Sequence, residues 1–165
     1  MKKWWLVLGI LVVSVPEIAA QLSLPCVVSQ MQPPPVVLKS CKTDAALVTT
    51  TVSDFGKKLT SFTNLQAGFC GGEKALAGTL ECQGEYATQM NTVVAKCTEA
   101  YKACLALSPA PPGPLELALE EKCDKEAATE TTAEVIAPAE AAYKTCLVDV
   151  CTLQNKLRIT CGEKL

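Results

Sequence analysis

Disulfide bonding is the strongest constraint in this sequence, because the chain has ten cysteines and no histidine among its 165 residues. The candidates for bridges are Cys26, Cys41, Cys70, Cys82, Cys97, Cys104, Cys123, Cys146, Cys151 and Cys161. A zinc site is the poorer interpretation, since there is no CxxC pair and no imidazole ligand. The even count leaves no thiol over, so we expect every cysteine to be bridged and no metal to be bound.

The first twenty residues have the pattern of a secretory signal peptide. Two lysines precede an unbroken apolar run from Trp4 to Val13, and small residues follow, ending at Ala20. The run is much shorter than the about 20 apolar residues that span a bilayer, so cleavage is favoured over an uncleaved anchor. We expect residues 1–20 to be a signal peptide and the mature chain to be secreted and extracellular, with no membrane span after cleavage.

Charge and composition disfavour several classes of partner. The chain has 15 basic and 17 acidic residues, and its lysines are scattered. Neither a nucleic-acid stripe nor a polybasic membrane patch can be drawn from them. Aromatic residues make up only 5% of the chain, which is poor material for stacking sugars or bases.

Catalytic patterns are missing as well. Without histidine no serine or cysteine has an imidazole base, and the chain has no P-loop, GxGxxG or GxSxG motif. Glu116 with Glu120, and Glu120 with Glu121, could serve a paired-acid hydrolase, but they alternate with leucine and alanine as on a solvated helix face. Asp124 and Glu126 lack the spacing of a calcium loop. The sequence therefore predicts no enzyme, cofactor or metal.

Residues 21–40 are predicted to form a proline-rich, extended N-terminal arm. Pro25 and the prolines at 33–35 favour a polyproline-like path and exclude helix. We expect Cys26 to tether this arm to the body of the protein. The alternative is a disordered lead-in.

Residues 41–165 are predicted to form one cysteine-rich helical domain. In its first part the apolar residues recur in steps of three and four: Cys41, Ala45, Val48, Val52, Phe55, Leu59 and Phe62. Ser40 offers an N-cap oxygen for this helix. The helix should end before Ala67-Gly68.

The later part of the domain continues the helical period. A stretch over 76–104 contains Gly84, which is expected to mark a bend or a break, and it ends at the proline-rich linker 108–114. A further helix over 115–131 is either kinked by Pro138 or followed by a helix that begins there. Since no run of period two competes, we predict an all-α fold, a small disulfide-stapled bundle of four to five helices.

Two segments of the domain, 82–105 and 123–147, have the pattern of an internal helical duplication. Eleven of the 24 positions of the first agree with the second, including the motif AYKxCL. The second segment has one more residue than the first. A cysteine begins each segment, and a second matching cysteine is its next-to-last residue.

The duplication also predicts two bridges. Within one continuous helix Cys82 and Cys104 would lie about 33 Å apart, far beyond the roughly 4.4–6.8 Å between α-carbons of a disulfide. If the two segments pack antiparallel, the start of each lies beside the end of the other. The predicted bonds are then Cys82–Cys146 and Cys104–Cys123.

Spacing restricts the other cysteines less. Cys97 and Cys104 lie seven residues apart on one helix face, and Cys146 and Cys151 lie on different faces, so the members of each pair need separate partners. The sequence leaves five partners open for Cys97: Cys26, Cys41, Cys70, Cys151 and Cys161.

Two groups of apolar side chains could line binding sites. Tyr101 and Tyr143 occupy equivalent positions in the two segments, and they form either a paired-tyrosine site or packing against the bridges. Met90, Val93 and Val94 line either a lipid pocket or the core. Packing is the favoured interpretation for both groups.

Short amphipathic helices, cysteine gaps such as Cys97–Cys104 and Cys146–Cys151, and the closing sequence Ile159-Thr-Cys-Gly are similar to those of secreted cysteine-rich domains of unknown function from nematodes and other invertebrates. The resemblance extends over 41–162. It implies a secreted, non-enzymatic helical domain without assigned active residues.

The sequence thus predicts a secreted, monomeric, non-enzymatic protein that acts through its surface as an extracellular interaction or effector protein. Its expected partner is an unidentified extracellular protein, and nucleic acid is excluded. The first alternative is a carrier of a small apolar ligand between the helices, which requires an apolar cavity of about 300 Å³ or more. The second is a histidine-independent hydrolase.

Overall fold

The computed structural model describes residues 31–66, 70–107 and 112–162. All regular structure there is helical, with no strand, in five α-helical segments: α1 (Ala45–Gln66), α2 (Gly72–Met90), α3 (Val93–Leu107), α4 (Pro114–Thr131) and α5 (Ala137–Thr160). The predicted signal peptide and the arm up to residue 30, including Cys26, lie outside the described residues. The predicted all-α, disulfide-stapled class is confirmed.

The five segments make three long rods, so the expected count of four to five separate helices is slightly wrong. α1 is the first rod, α2 and α3 together are the second, and α4 leads through the π-helical turn Thr132–Ile136 directly into α5. α1 packs on α2, α2 packs on α5, and α3 packs on α4. The core therefore runs along all three rods.

The predicted break at Gly84 is wrong, since α2 continues through this residue. An alanine would have open space there, so nothing at Gly84 forces the chain out of the helix. The second rod instead turns at Asn91 and Thr92, where the Thr92 hydroxyl donates to the carbonyl of Gln89 at 2.7 Å. Such local side-chain bonds compete with helix hydrogen bonds.

Two alternatives were predicted for Pro138: a kink in the preceding helix, or the start of a new helix. Pro138 lies in the first turn of α5, so the second alternative applies. Proline has no N–H, and its ring crowds the carbonyl four residues earlier. The wider π turn over 132–136 directly precedes it and accommodates this crowding. The third rod therefore continues past the proline without a break.

The start of α1 is held by reciprocal capping bonds. The Ser40 hydroxyl accepts the N–H of Thr43 at 3.2 Å, and the Asp44 carboxylate accepts the N–H groups of Lys39 and Ser40 at 2.8 and 3.2 Å. The bond from Lys39 is the main cause that lowers the pKa of Asp44 below its ordinary value. Ser40 therefore caps the turn over 41–44, and the α-helix begins at Ala45.

The predicted apolar face of α1 is buried at Ala45, Val48, Val52, Phe55 and Leu59. The side chain of Phe62 lies outside the described part. Phe55 meets the ring of Tyr143 edge-on, with centroids 5.9 Å apart, and the Tyr86 ring centroid lies 5.1 Å from that of Tyr143. These three aromatic rings from α1, α2 and α5 join the rods at the centre of the core, and such pairs add about 0.5–1.5 kcal/mol each beyond area burial.

The two bridges predicted from the duplication are confirmed. Cys82 pairs with Cys146 at an α-carbon distance of 5.8 Å, and Cys104 pairs with Cys123 at 5.5 Å. The first bond joins α2 to α5 and the second joins α3 to α4. The two segments are therefore antiparallel, as the prediction required.

The other described bridges fix the two ends of the bundle. Cys41, just before α1, pairs with Cys97 of α3, and Cys70, just before α2, pairs with Cys161 after α5. Cys151 is also disulfide-bonded. The structure thus selects Cys41 among the five partners that the sequence left open for Cys97.

Candidate functional site

Within the described part of the arm, residues 31–38 are docked on the helices. Met31 and Leu38 at its two ends are 2% and 5% exposed, so both belong to the core. The buried hydroxyl of Tyr143 donates to the carbonyl of Met31 at 3.1 Å. These residues are therefore packed against the bundle.

Two backbone bonds set the direction of the arm. The N–H of Val36 donates to the Glu140 carboxylate at 3.0 Å, and the N–H of Leu38 donates to the Thr132 hydroxyl at 3.2 Å. Later arm residues thus meet earlier residues of the third rod. The arm runs antiparallel to this rod, beside the π turn and the first turns of α5.

An open groove of about 360 Å³ lies between the arm and α5. Gln32, Pro33 and Pro35 form its arm side, and Ala137, Ala141 and Lys144 lie on its α5 side. Glu140 and Tyr143, the two α5 residues that bond the arm backbone, also line it. The groove is thus built at the surface and not between the helices, where the carrier alternative expected a cavity.

Behind the groove lies a buried hydroxyl that the fold does not satisfy. Tyr86 is 1% exposed, and its hydroxyl has no hydrogen-bond partner among the described residues. Burial, and secondarily the charge of Glu140, raises the pKa of Tyr86 to about 12. Burial likewise raises the pKa of Tyr143. Both phenols are therefore neutral at ordinary pH.

The paired-tyrosine site does not form, since Tyr101 has surroundings quite unlike those of Tyr143. Tyr101 is partly exposed, and the ammonium of Lys42 lies 4.9 Å from its ring centroid. Lys42 also pairs with Glu120 at 2.9 Å, and its backbone N–H donates to Asp124 at 2.9 Å. Hydrogen bonds to Tyr101 and then Glu120 raise the pKa of Lys42.

This polar cluster is a clamp between the start of α1 and α4. A lysine with a raised pKa stays protonated, so Lys42 is not available as a nucleophile or a base. The predicted hydrolase acids are in the same region: Glu120 is bound by Lys42, and Glu121 is paired with Lys125 at 2.6 Å, mainly through a hydrogen bond that lowers the pKa of Glu121. The cluster fits a structural role.

The remaining candidates divide between core and surface. Met90 and Val93 are 1% and 0% exposed, as packing predicted, whereas Val94 is 42% exposed. Glu116 and Glu126 lie at the surface.

Within 31–66, 70–107 and 112–162 no three metal-ligating side chains come together as a site. Over the same residues no helix has the length and apolarity that a membrane crossing requires.

One end of the bundle displays large apolar side chains. The bond between Cys104 and Cys123 holds the end of α3 beside the first half of α4, so the end of α3 and the start of α4 lie together. The exposed apolar residues there, which we call the apolar end, are Leu107, Leu115 and Leu117, with 67–84% of each accessible. Sequence periodicity missed them because leucines near a helix end can face either the core or water.

Comparisons of the chain with protein families, with characterised proteins and with solved structures found no match.

Proposed function

We propose that this chain is a secreted, non-enzymatic extracellular interaction or effector protein that uses its disulfide-stapled helical scaffold to present a protein-binding surface. The observation that carries the proposal is the apolar end. Contiguous exposed apolar surface on a folded domain commonly marks a site of protein association. The four bridges among the described residues are compatible with an extracellular protein.

The shape of the apolar end also supports this proposal. Leu107 ends α3, and Leu115 and Leu117 lie in the first turn of α4. The bond between Cys104 and Cys123 joins these two helices close to those leucines. A preorganised patch loses little conformational entropy when a partner binds, and this increases affinity.

The first experiment is the intact mass of the natively secreted protein, measured without reductant. The proposal predicts a denatured mass equal to residues 21–165 less ten hydrogens, allowing for cyclisation of Gln21. A retained leader would contradict secretion by cleavage after Ala20, and free thiols would contradict full bridging.

The second experiment tests the surface itself. Leu117→Ser removes apolar area from the apolar end, and Ile159→Ser is the matched control near the opposite end, which the Cys70–Cys161 bond defines. The two side chains are 69% and 59% exposed. We expect an extracellular protein that is captured by the wild type and by Ile159→Ser to be lost from Leu117→Ser. Equal capture by both variants would reject the apolar end as the binding surface.

A further inference from the structure

The groove between the arm and α5 is polar at one end and mainly apolar along the rest of its length. Because the arm is antiparallel to α5, Gln32 lies near Lys144, as the bond from Tyr143 to Met31 shows. Pro33 and Pro35 continue along the arm toward the start of α5. Gln32 and Lys144 thus lie at one end, and prolines, alanines and the Glu140 side chain line the rest.

The two charged side chains of the groove, Glu140 and Lys144, differ in how far the rest of the protein engages them. One carboxylate oxygen of Glu140 is engaged by the backbone N–H of Val36. Lys144 is exposed and forms no ion pair among the described residues. The Lys144 ammonium therefore remains available to a ligand, whereas the Glu140 carboxylate is partly engaged by the backbone of the arm.

Two irregularities of the fold meet at the same place. The π turn ends at Ile136, directly before the groove residue Ala137, and such turns occur frequently at functional sites. The unsatisfied Tyr86 hydroxyl is buried beside Tyr143, which lines the groove. Proteins depart from local rules mainly where function requires it, so these departures single out this groove among the surface grooves.

We propose that the groove binds a small amphiphile with a carboxylate head and an unbranched apolar chain, of the class of medium-chain fatty acids. The carboxylate lies at Lys144 and Gln32, and the chain lies along the prolines of the arm and the alanines of α5. At about 30 Å³ for each small group, a groove of about 360 Å³ accommodates about a dozen heavy atoms. This site is separate from the apolar end and does not depend on the proposed function.

The test is a calorimetric titration of the secreted, oxidised protein with decanoate below its micelle concentration. Ala141→Leu places a larger side chain in the groove. Ala142→Leu, on the next residue of α5, is the matched control because Ala142 is exposed and does not line the groove. We expect Ala141→Leu to weaken decanoate binding about tenfold or more and Ala142→Leu to change it less than about twofold.

The head group is tested by Lys144→Gln with decanol as the neutral probe. An exposed ion pair is worth up to about 1 kcal/mol, so this variant should weaken decanoate about three- to fivefold and leave decanol unchanged. Absence of decanoate binding at millimolar concentration would overturn the proposal. Equal losses in Ala141→Leu and Ala142→Leu would overturn it as well, as would equal sensitivity of decanoate and decanol to Lys144→Gln.

Discussion

Removal of a single phenolic hydroxyl should have opposite effects at Tyr143 and Tyr86. Both side chains are buried, at 2% and 1% exposed, and their rings are in contact. The Tyr143 hydroxyl donates to the carbonyl of Met31 at 3.1 Å, whereas the Tyr86 hydroxyl has no hydrogen-bond partner in the part of the chain that the structure describes. Replacement by phenylalanine keeps both rings and deletes only the hydroxyl.

The expected magnitudes follow from the hydrogen bonds alone. Tyr143→Phe loses a bond worth about 0.5–1.5 kcal/mol and leaves a buried carbonyl unsatisfied, so it should lower the free energy of unfolding by about 1–2 kcal/mol. Tyr86→Phe removes a hydroxyl that is desolvated without compensation. It should be neutral or raise the free energy of unfolding by up to about 1 kcal/mol.

The assay is urea unfolding of the oxidised proteins, followed by helical circular dichroism. With m near about 2 kcal/mol/M, Tyr143→Phe should lower the midpoint by about 0.5–1 M, and Tyr86→Phe should leave it unchanged or raise it. Amide hydrogen exchange should also become faster at Val36 and Leu38 in Tyr143→Phe, because the arm loses one of its anchors. Tyr86→Phe as destabilising as Tyr143→Phe would refute the reasoning, since the Tyr86 hydroxyl would then have a partner.

Four further predictions concern the scaffold. Gly84→Ala should raise the free energy of unfolding by about 0.5–1 kcal/mol, because the position is helical with open space around it. Gly71→Ala should lower the free energy of unfolding by about 1–2 kcal/mol or more in the same urea assay, because Gly71 has a φ of 75° and an added Cβ would meet a leucine side chain at 2.6 Å. Replacing both Cys104 and Cys123 by serine opens a loop with a sequence separation of 19 and should cost about 3 kcal/mol, measured by the same unfolding; a change below about 1 kcal/mol would contradict this account. The pKa of Tyr86 is about 12 in the folded protein and near about 10 in the unfolded chain. As pH rises from about 10 to about 12, the free energy of unfolding should therefore fall by about 1.4 kcal/mol per pH unit, and below about pH 10 Tyr86 contributes no pH dependence. Tyr86→Phe should remove this contribution to the fall.

Helices could be predicted from the sequence where the residues that favour them, such as a periodic apolar face or a capping side chain, are close together in the chain. The face of α1 repeats in steps of three and four, and Ser40 carries its own capping group, so both the helix and its cap follow from neighbouring residues. Gly84 misled the prediction because glycine lowers helix propensity only weakly, and packing on α5 overrides it. The turn came instead at Asn91 and Thr92, where the Thr92 side chain competes with the helix bonds.

Two bridges could be predicted because the sequence supplied nonlocal information. The repeated cysteine pattern, combined with the hypothesis that the two segments pack antiparallel, gave Cys82–Cys146 and Cys104–Cys123. Cys97 has no equivalent in the second segment. Its choice of Cys41 depended on how α1 crosses α3, which no local pattern specifies.

The candidate groove was beyond prediction from sequence for the same reason. Its two walls come from the arm and from α5, which are about a hundred residues apart in the chain and are joined by bonds such as that from Val36 to Glu140, with a separation of 104. The sequence by itself determined the helical class, the capping of α1 and the bridges between the two similar segments, because periodicity and repetition are properties of the chain. Only the tertiary structure decided which tyrosine is satisfied, which leucines face water and where the arm lies against α5, because burial depends on surfaces that meet only after the three rods have packed.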